Sequence, residues 1–182
     1  MATKNHNLSL IDTPLPPAAE MSFGIVVAEW NREITNAMAQ GAIETFKAAG
    51  CPEESISVKY VPGTVELSLG AQFFAEYTEV DAVVVLGCVI QGDTRHFDYV
   101  CDSVTQGITQ LSLNFNIPIG FGVLTVNDEQ QALDRCGGVH GNKGDEAAAT
   151  VIRMVALQRE MVDAALAKEE GDEPKSMRNR VN

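Results

Sequence analysis

From Ala82 to Ile90 the chain reads Ala-Val-Val-Val-Leu-Gly-Cys-Val-Ile, with no charge and no alternation of polar with apolar positions. A run this short, this uniformly apolar and this rich in β-branched residues predicts a strand buried on both faces, as in a parallel sheet covered by helices. It breaks off into Gln91-Gly92-Asp93-Thr94-Arg95-His96, ahead of an amphipathic segment. Open α/β sheets place ligands in loops at the carboxyl ends of their strands, and the helix N-terminus that follows such a loop favours anions. His96 and its neighbours are therefore the first candidates for chemistry.

Strand and helix signals alternate on both sides of this run. Phe23 to Ala28 forms a first strand, and Asn31 is placed to cap a helix running toward Ala49, with Ile34, Met38, Phe46 and Ala49 at helical spacing. Gly50 supplies a C′ residue and Pro52 bars continuation. Ile56, Val58 and Tyr60 alternate as a second strand, closed by Pro62-Gly63. Val65, Leu69, Phe73 and Tyr77 fall four apart and predict a second helix that buries this stripe. After the third strand, Ala82 to Ile90, the positions Phe97, Val100, Val104, Ile108, Leu111 and Phe115 mark a third helix, with Gly107 near its packing face. Pro118 introduces a fourth strand, Ile119 to Val126, and Asn127 or Asp128 caps a short helix to Arg135. Gly137, Gly138 and Gly141 break the chain before a long alanine-rich helix from about Asn142 to Lys168. This alternation predicts an α/β fold with a parallel sheet, right-handed crossovers and helices on both faces.

At 182 residues the chain suits one substantial core. Residues 1–20 read as an extended N-terminal arm, since Pro14, Pro16 and Pro17 prevent a helix, and Leu8, Leu10 and Ile11 could pack on a neighbouring subunit. Residues 21–168 form the domain, and the charged tail 169–182 lacks apolar periodicity and reads as disordered. A formal net charge of −12 argues against nucleic acid and anionic membranes as partners. With no spanning segment or secretory signal, a cytoplasmic location is expected. Cys51, Cys88, Cys101 and Cys136 are scattered without metal-ligand spacing, so reduced thiols and no metal are expected, with Cys88 and Cys101 as small core residues.

Four segments converge at the carboxyl edge of such a sheet: Trp30-Asn31, Pro62 to Glu66, Val89 to His96, and the stretch after the fourth strand. An indole at Trp30 can stack on a flat heterocycle, though packing at the sheet edge is the simpler role. Glu66 can cap its helix or accept hydrogen bonds from a polyol. Arg135 and Lys143 flank a glycine-rich turn and can hold a phosphate, arginine by bidentate contact. Arg95 stands directly before His96 and after Gly92-Asp93-Thr94, where it can add a phosphate contact or discourage protonation of His96, and the loop that precedes it favours the phosphate contact.

Taken together, VPGTVEL at 61–67, GCVIQGDTRHFDYV at 87–100, PIGFGVLT at 118–125, QALDR at 131–135 and GNKGDEAA at 141–148 strongly resemble the lumazine synthase family, with a likeness continuous from about Phe23 to Leu157. The resemblance implies a flavodoxin-like three-layer α/β/α sandwich with a four-stranded parallel sheet. It implies a transferase that condenses 5-amino-6-(D-ribitylamino)uracil with 3,4-dihydroxy-2-butanone 4-phosphate, giving 6,7-dimethyl-8-ribityllumazine, phosphate and water. That reaction is the penultimate step of riboflavin biosynthesis, and no metal or organic cofactor takes part. By matched motif, Trp30 would stack on the pyrimidine ring with Asn31 beside it, Thr64, Val65 and Glu66 would bind the ribityl chain, and Val89 and Ile90 would line the ring. Gly92, Asp93 and Thr94 match the phosphate loop, and His96 matches the residue that transfers protons. Phe121 would close the pocket across a subunit interface, Arg135 matches the phosphate-binding arginine, and Lys143 matches the lysine that follows. Trp30 and Val65 depart from the phenylalanine and the aromatic residue commoner at their positions. The family forms homo-pentamers, many of which build icosahedral shells, and riboflavin synthase is the candidate protein partner. Two competing readings are a flavin- or nucleotide-binding module, which gives His96, Arg135 and Lys143 no joint purpose, and a shell protein without catalysis.

Overall fold

Each segment with a strand signal becomes a strand, and the four lie parallel in one sheet. The structure, a computed structural model, describes residues 14–171, with side chains to residue 168. In chain order the elements are β1 (Phe23–Ala28), α1 (Arg32–Ala48), β2 (Ile56–Val61), α2 (Leu67–Tyr77), β3 (Ala82–Ile90), α3 (His96–Phe115), β4 (Ile119–Val126), α4 (Glu129–Leu133), the short strands β5 (Cys136–Gly138) and β6 (Gly141–Asn142), and α5 (Lys143–Gly171). The main sheet has the order β2-β1-β3-β4, the flavodoxin-like order of a doubly wound sheet.

The two central strands carry the most uniformly apolar sequences. Every residue of β1 and the first seven of β3 are buried, as coverage on both faces requires. On one face Ile25, Val27, Val84 and Leu86 pack beneath α1 and α5; on the other Val26, Val83 and Val85 pack beneath α2 and α3. Truncating one such side chain to alanine, as in Leu86→Ala, costs about 2–5 kcal/mol because the packed helices cannot collapse into the gap. Among the described residues no helix is long and apolar enough to cross a membrane.

At the end of α1 the expected terminator forms. Gly50 has φ +91°, its N–H reaches the Lys47 carbonyl at 2.9 Å, and the Cys51 N–H reaches the Phe46 carbonyl at 3.0 Å, the paired bonds of a Schellman ending. Asp128 caps α4 by accepting from the Gln131 N–H at 2.8 Å, although that helix stops at Leu133, short of Arg135. Gly107 lies at a tight crossing, where a Cβ would meet the Ser68 hydroxyl of α2 at 2.4 Å.

Several expectations are corrected. The stripe Val65, Leu69, Phe73 and Tyr77 is exposed, Tyr77 to 74%, and α2 instead buries Leu67, Gly70, Ala71 and Phe74 against the sheet. Tyr60 is also exposed, because β2 is an edge strand. Cys101 and Phe97 are only half-buried, and Phe115 is exposed. Gly137, Gly138 and Gly141 do not merely break the chain: they belong to an antiparallel β5–β6 hairpin. Helix α5 continues through Glu169 to Gly171, and the rest of the tail lies outside the described residues, as do Leu8, Leu10 and Ile11 of the arm. Ala18, farther along that arm, is buried in the chain's own core.

Candidate active site

The strand order reverses direction between β1 and β3, since the chain leaves β1 for β2 on one side and returns to β3 on the other. A doubly wound sheet opens a crevice at such a point. Asn31, just past β1, adopts the left-handed conformation with φ 57° and ψ 47°, a region asparagine tolerates better than most residues. Its side chain makes no cap bond to α1, contrary to the sequence expectation. The amide Nδ2 instead donates to the Cys88 carbonyl of β3 at 2.9 Å, tying the ends of the two strands together. The turn leaves Trp30 70% exposed, so the indole does not pack into the sheet edge.

Opposite Trp30 is the turn into α2. Thr64 is buried, and a Cβ on Gly87 would lie 3.0 Å from its Oγ1 and 2.9 Å from Leu67 Cδ1, so the bare backbone at Gly87 lets this turn sit on β3. Glu66 immediately precedes α2 and makes no cap bond with its carboxylate. The third wall is the loop after β3 and the first turn of α3, where the His96 N–H donates to the Thr94 hydroxyl at 3.4 Å.

These three walls enclose a cleft of about 510 Å³ lined by Trp30, Asn31, Thr64, Val65, Glu66, Val89, Ile90, Gly92, Thr94 and His96. Pro62 and Gly63 of the converging second segment line it as well, and so do Cys88, Phe97 and Val100, which the sequence reading gave no place in a site. Their signal was position: Cys88 stands two residues before Ile90 near the carboxyl end of β3, and Phe97 and Val100 are three apart on the first turns of α3. A volume of this size, apolar with a few convergent polar groups, suits a small-molecule ligand. Burial pushes the Cys88 thiol up to about 11, so it stays protonated near neutral pH and is no nucleophile. Among the described residues no group of His, Cys, Asp and Glu is arranged to hold a metal ion.

The remaining candidates do not line this cleft. Asp93 is exposed in the loop beside it. Arg95 is turned onto Asp98, Nε to Oδ2 3.4 Å, in an exposed pair. Phe121 lies on the edge strand β4, exposed, facing opposite to Leu124 and Val126 of the α1–α5 core. Arg135 precedes the β5–β6 hairpin that packs against α1 and α5, and its Nη1 donates to the Gln131 carbonyl at 2.9 Å. The Lys143 ammonium is paired with the Glu146 carboxylate in a largely buried contact.

Residues 20–159 match the family model described as 6,7-dimethyl-8-ribityllumazine synthase. A protein of that name from Parabacteroides distasonis is 56% identical over 156 residues, covering 85% of this chain and 98% of the relative. One from Cytophaga hutchinsonii is 53% identical over 156 residues, with 86% and 98% covered, and one from Porphyromonas gingivalis is 50% identical over 160 residues, with 87% and 99% covered. A match of this identity, spanning the sheet and every wall of the cleft, establishes that the chain belongs to the 6,7-dimethyl-8-ribityllumazine synthase family.

Proposed function

We propose that the cleft between β1 and β3 is where this family member condenses 5-amino-6-(D-ribitylamino)uracil with 3,4-dihydroxy-2-butanone 4-phosphate to 6,7-dimethyl-8-ribityllumazine, phosphate and water. The observation that carries this reading is the meeting of Trp30, Glu66 and His96 on one cleft, from three separate stretches of chain. Trp30 stacks on the pyrimidine, Asn31, Val89 and Ile90 frame it, and Thr64, Val65 and Glu66 receive the ribityl chain. The backbone of Gly92, Asp93 and Thr94, at the N-terminus of α3, binds the phosphate.

The chemistry fits these residue types. The aromatic amine adds to the ketone and loses water to give an imine, phosphate is eliminated, and the second nitrogen closes the ring with loss of water. Each step moves a proton, and His96 is the cleft side chain that carries it as general acid and base. Holding both substrates in register supplies much of the remaining acceleration.

Arg135, Lys143 and Phe121 complete the site from a neighbouring copy within a homo-pentamer. Support comes from their separation from the cleft in one chain and from the exposed Leu69, Phe73 and Tyr77, which suit a protein partner. Closure of pentamers into an icosahedral shell and riboflavin synthase as the protein partner rest on the family resemblance, and a cytoplasmic location rests on the sequence reading. The test is direct: purified protein with both substrates generates the lumazine absorbance at a rate proportional to protein. Absence of product with both substrates saturating overturns the reading.

A further inference from the structure

We propose that Asn142 is a positioning residue for the phosphate-binding arm: its one side-chain amide, bonded at both ends, holds the segment from Arg135 to Lys143 against α1 and so sets where Arg135 presents its guanidinium. The inference rests on the assignment of Arg135 to phosphate made above.

The arm is built mostly of backbone. Cys136 pairs with Asn142, the Lys143 N–H donates to the Arg135 carbonyl at 2.9 Å, and the His140 N–H donates to the Asp134 carbonyl at 2.7 Å. A short, glycine-rich two-stranded ribbon is marginal by itself, because it has few side chains to bury. Asn142 supplies the anchor. Its Nδ2 donates to the Ala37 carbonyl of α1 at 3.0 Å, a partner 105 residues away. Its Oδ1 accepts from the Gly144 N–H at 2.8 Å and so caps α5.

The surroundings are shaped to admit this amide. A Cβ on Gly41 of α1 would lie 2.5 Å from Asn142 Nδ2 and 1.9 Å from Asp145 Oδ1. A Cβ on Gly144 would lie 1.9 Å from the Met38 carbonyl oxygen, which is backbone and cannot give way cheaply. Both helices thus carry a poor helix former at the point of contact. A cap alone does not need this notch, since serine, threonine or aspartate would accept from Gly144 equally well. A hydroxyl carries its donor and acceptor on one atom, whereas the asparagine amide carries them on two, Nδ2 toward Ala37 and Oδ1 toward Gly144, and so bridges the two partners. Because Asn142 pairs with Cys136 and precedes Lys143, a shift of its anchor displaces both ends of the arm.

The test compares full-length Asn142→Ser and Asn142→Asp with the parent. Each keeps an acceptor for the Gly144 N–H, and neither supplies the amide donor that reaches Ala37. In both, the KM for butanone phosphate should rise about tenfold, the size expected when one partly buried hydrogen bond no longer holds a charged contact in place. The KM for the ribitylaminouracil and the kcat at saturation should stay within about twofold, a split that distinguishes positioning from loss of folded protein. An unchanged KM for butanone phosphate overturns the proposal, and so does a fall in kcat with both KM values unchanged. If the serine and aspartate variants do not fold, Gly41→Ala displaces the amide with Asn142 retained and should give the same split, with the same two outcomes overturning the proposal. Arg135→Ala separates the two layers of inference. If it leaves the KM for butanone phosphate unchanged, the phosphate assignment falls; if it raises that KM while the Asn142 variants do not, only the positioning role falls.

Discussion

Two sets of polar side chains gather at the carboxyl edge of the sheet, and they are built in opposite ways. The cleft set sits at the carboxyl ends of the two central, largely buried strands, on the turn from β2 into α2 and on the first turns of α3, so its side chains converge on one volume within a single chain. The hairpin set is held by backbone bonds, the Asn142 amide, an Arg135 bond to the Gln131 carbonyl and the Lys143–Glu146 pair, and it lines no part of that volume. A site for a flat heterocycle needs walls, which the core provides. A site for a phosphate needs a cation that can be presented outward, which a surface ribbon provides. Under the function proposed above, the cleft walls come from one copy and the cation and Phe121 from its neighbour, and the contrast in how the two sets are held makes that division testable.

The largest effect expected from this contrast is genetic. Arg135→Ala should lower kcat/KM for butanone phosphate roughly a hundredfold, the upper range for losing a bidentate charge-assisted contact. His96→Ala should lower kcat about thirtyfold with little change in either KM, if positioning supplies much of the acceleration and proton transfer the rest. Co-expressing the two mutants in equal amounts breaks or sharpens the comparison. If cleft and arm come from different copies, random pairing restores about a quarter of the sites, and activity rises far above either parent. Activity no greater than the average of the two single mutants would place both halves in one chain.

The heterocycle half has its own, smaller test. Trp30→Ala removes an indole that is 70% exposed and therefore supports little of the fold. Its expected effect is about a tenfold rise in the KM for the ribitylaminouracil, with thermal stability and the KM for butanone phosphate nearly unchanged, the size of one aromatic stacking contact. A fall in stability with no change in that KM would return Trp30 to a packing role.

How legible each half was in the sequence follows from what holds it. The strands were readable because β1 and β3 are buried on both faces, and continuous apolar runs admit few other structures. The cleft residues were readable because they follow β1, β2 and β3 directly. Helix α2 misled, since it is apolar on two faces and periodicity cannot say which meets the sheet. Gly70 and Ala71 decided that, because a small side chain lets the helix approach β1: a Cβ on Gly70 would already lie 2.7 Å from Val26 Cγ1. Asn31 carried a capping signal that a long-range bond to Cys88 overrode. The β5–β6 hairpin left no pattern at all, for its strands are three and two residues long and its tether is to Ala37, far away in sequence.

The smallest effect lies beneath the hairpin, at Asp145. Burial, aided by Glu44 on α1 and by Glu146, raises its carboxyl above the ordinary value, and Oδ1 has no hydrogen-bond partner. A hydrogen bond from its own backbone N–H acts the other way, and a carboxylate in the first turn of α5 also gains from the helix dipole. The upward direction means that desolvation wins. The folded chain then binds this proton more tightly than the unfolded chain does, so stability falls as pH rises from the ordinary carboxylate value through the raised one. Asp145→Asn removes the charge at nearly constant shape. Thermal unfolding should rise by about 2 °C at pH 7, and the gain should vanish below about pH 4, where the parent carboxyl is itself protonated. A gain that persists at low pH would trace the effect to packing against Gly41, and a loss at pH 7 would mean that the dipole, not burial, dominates at the base of the arm.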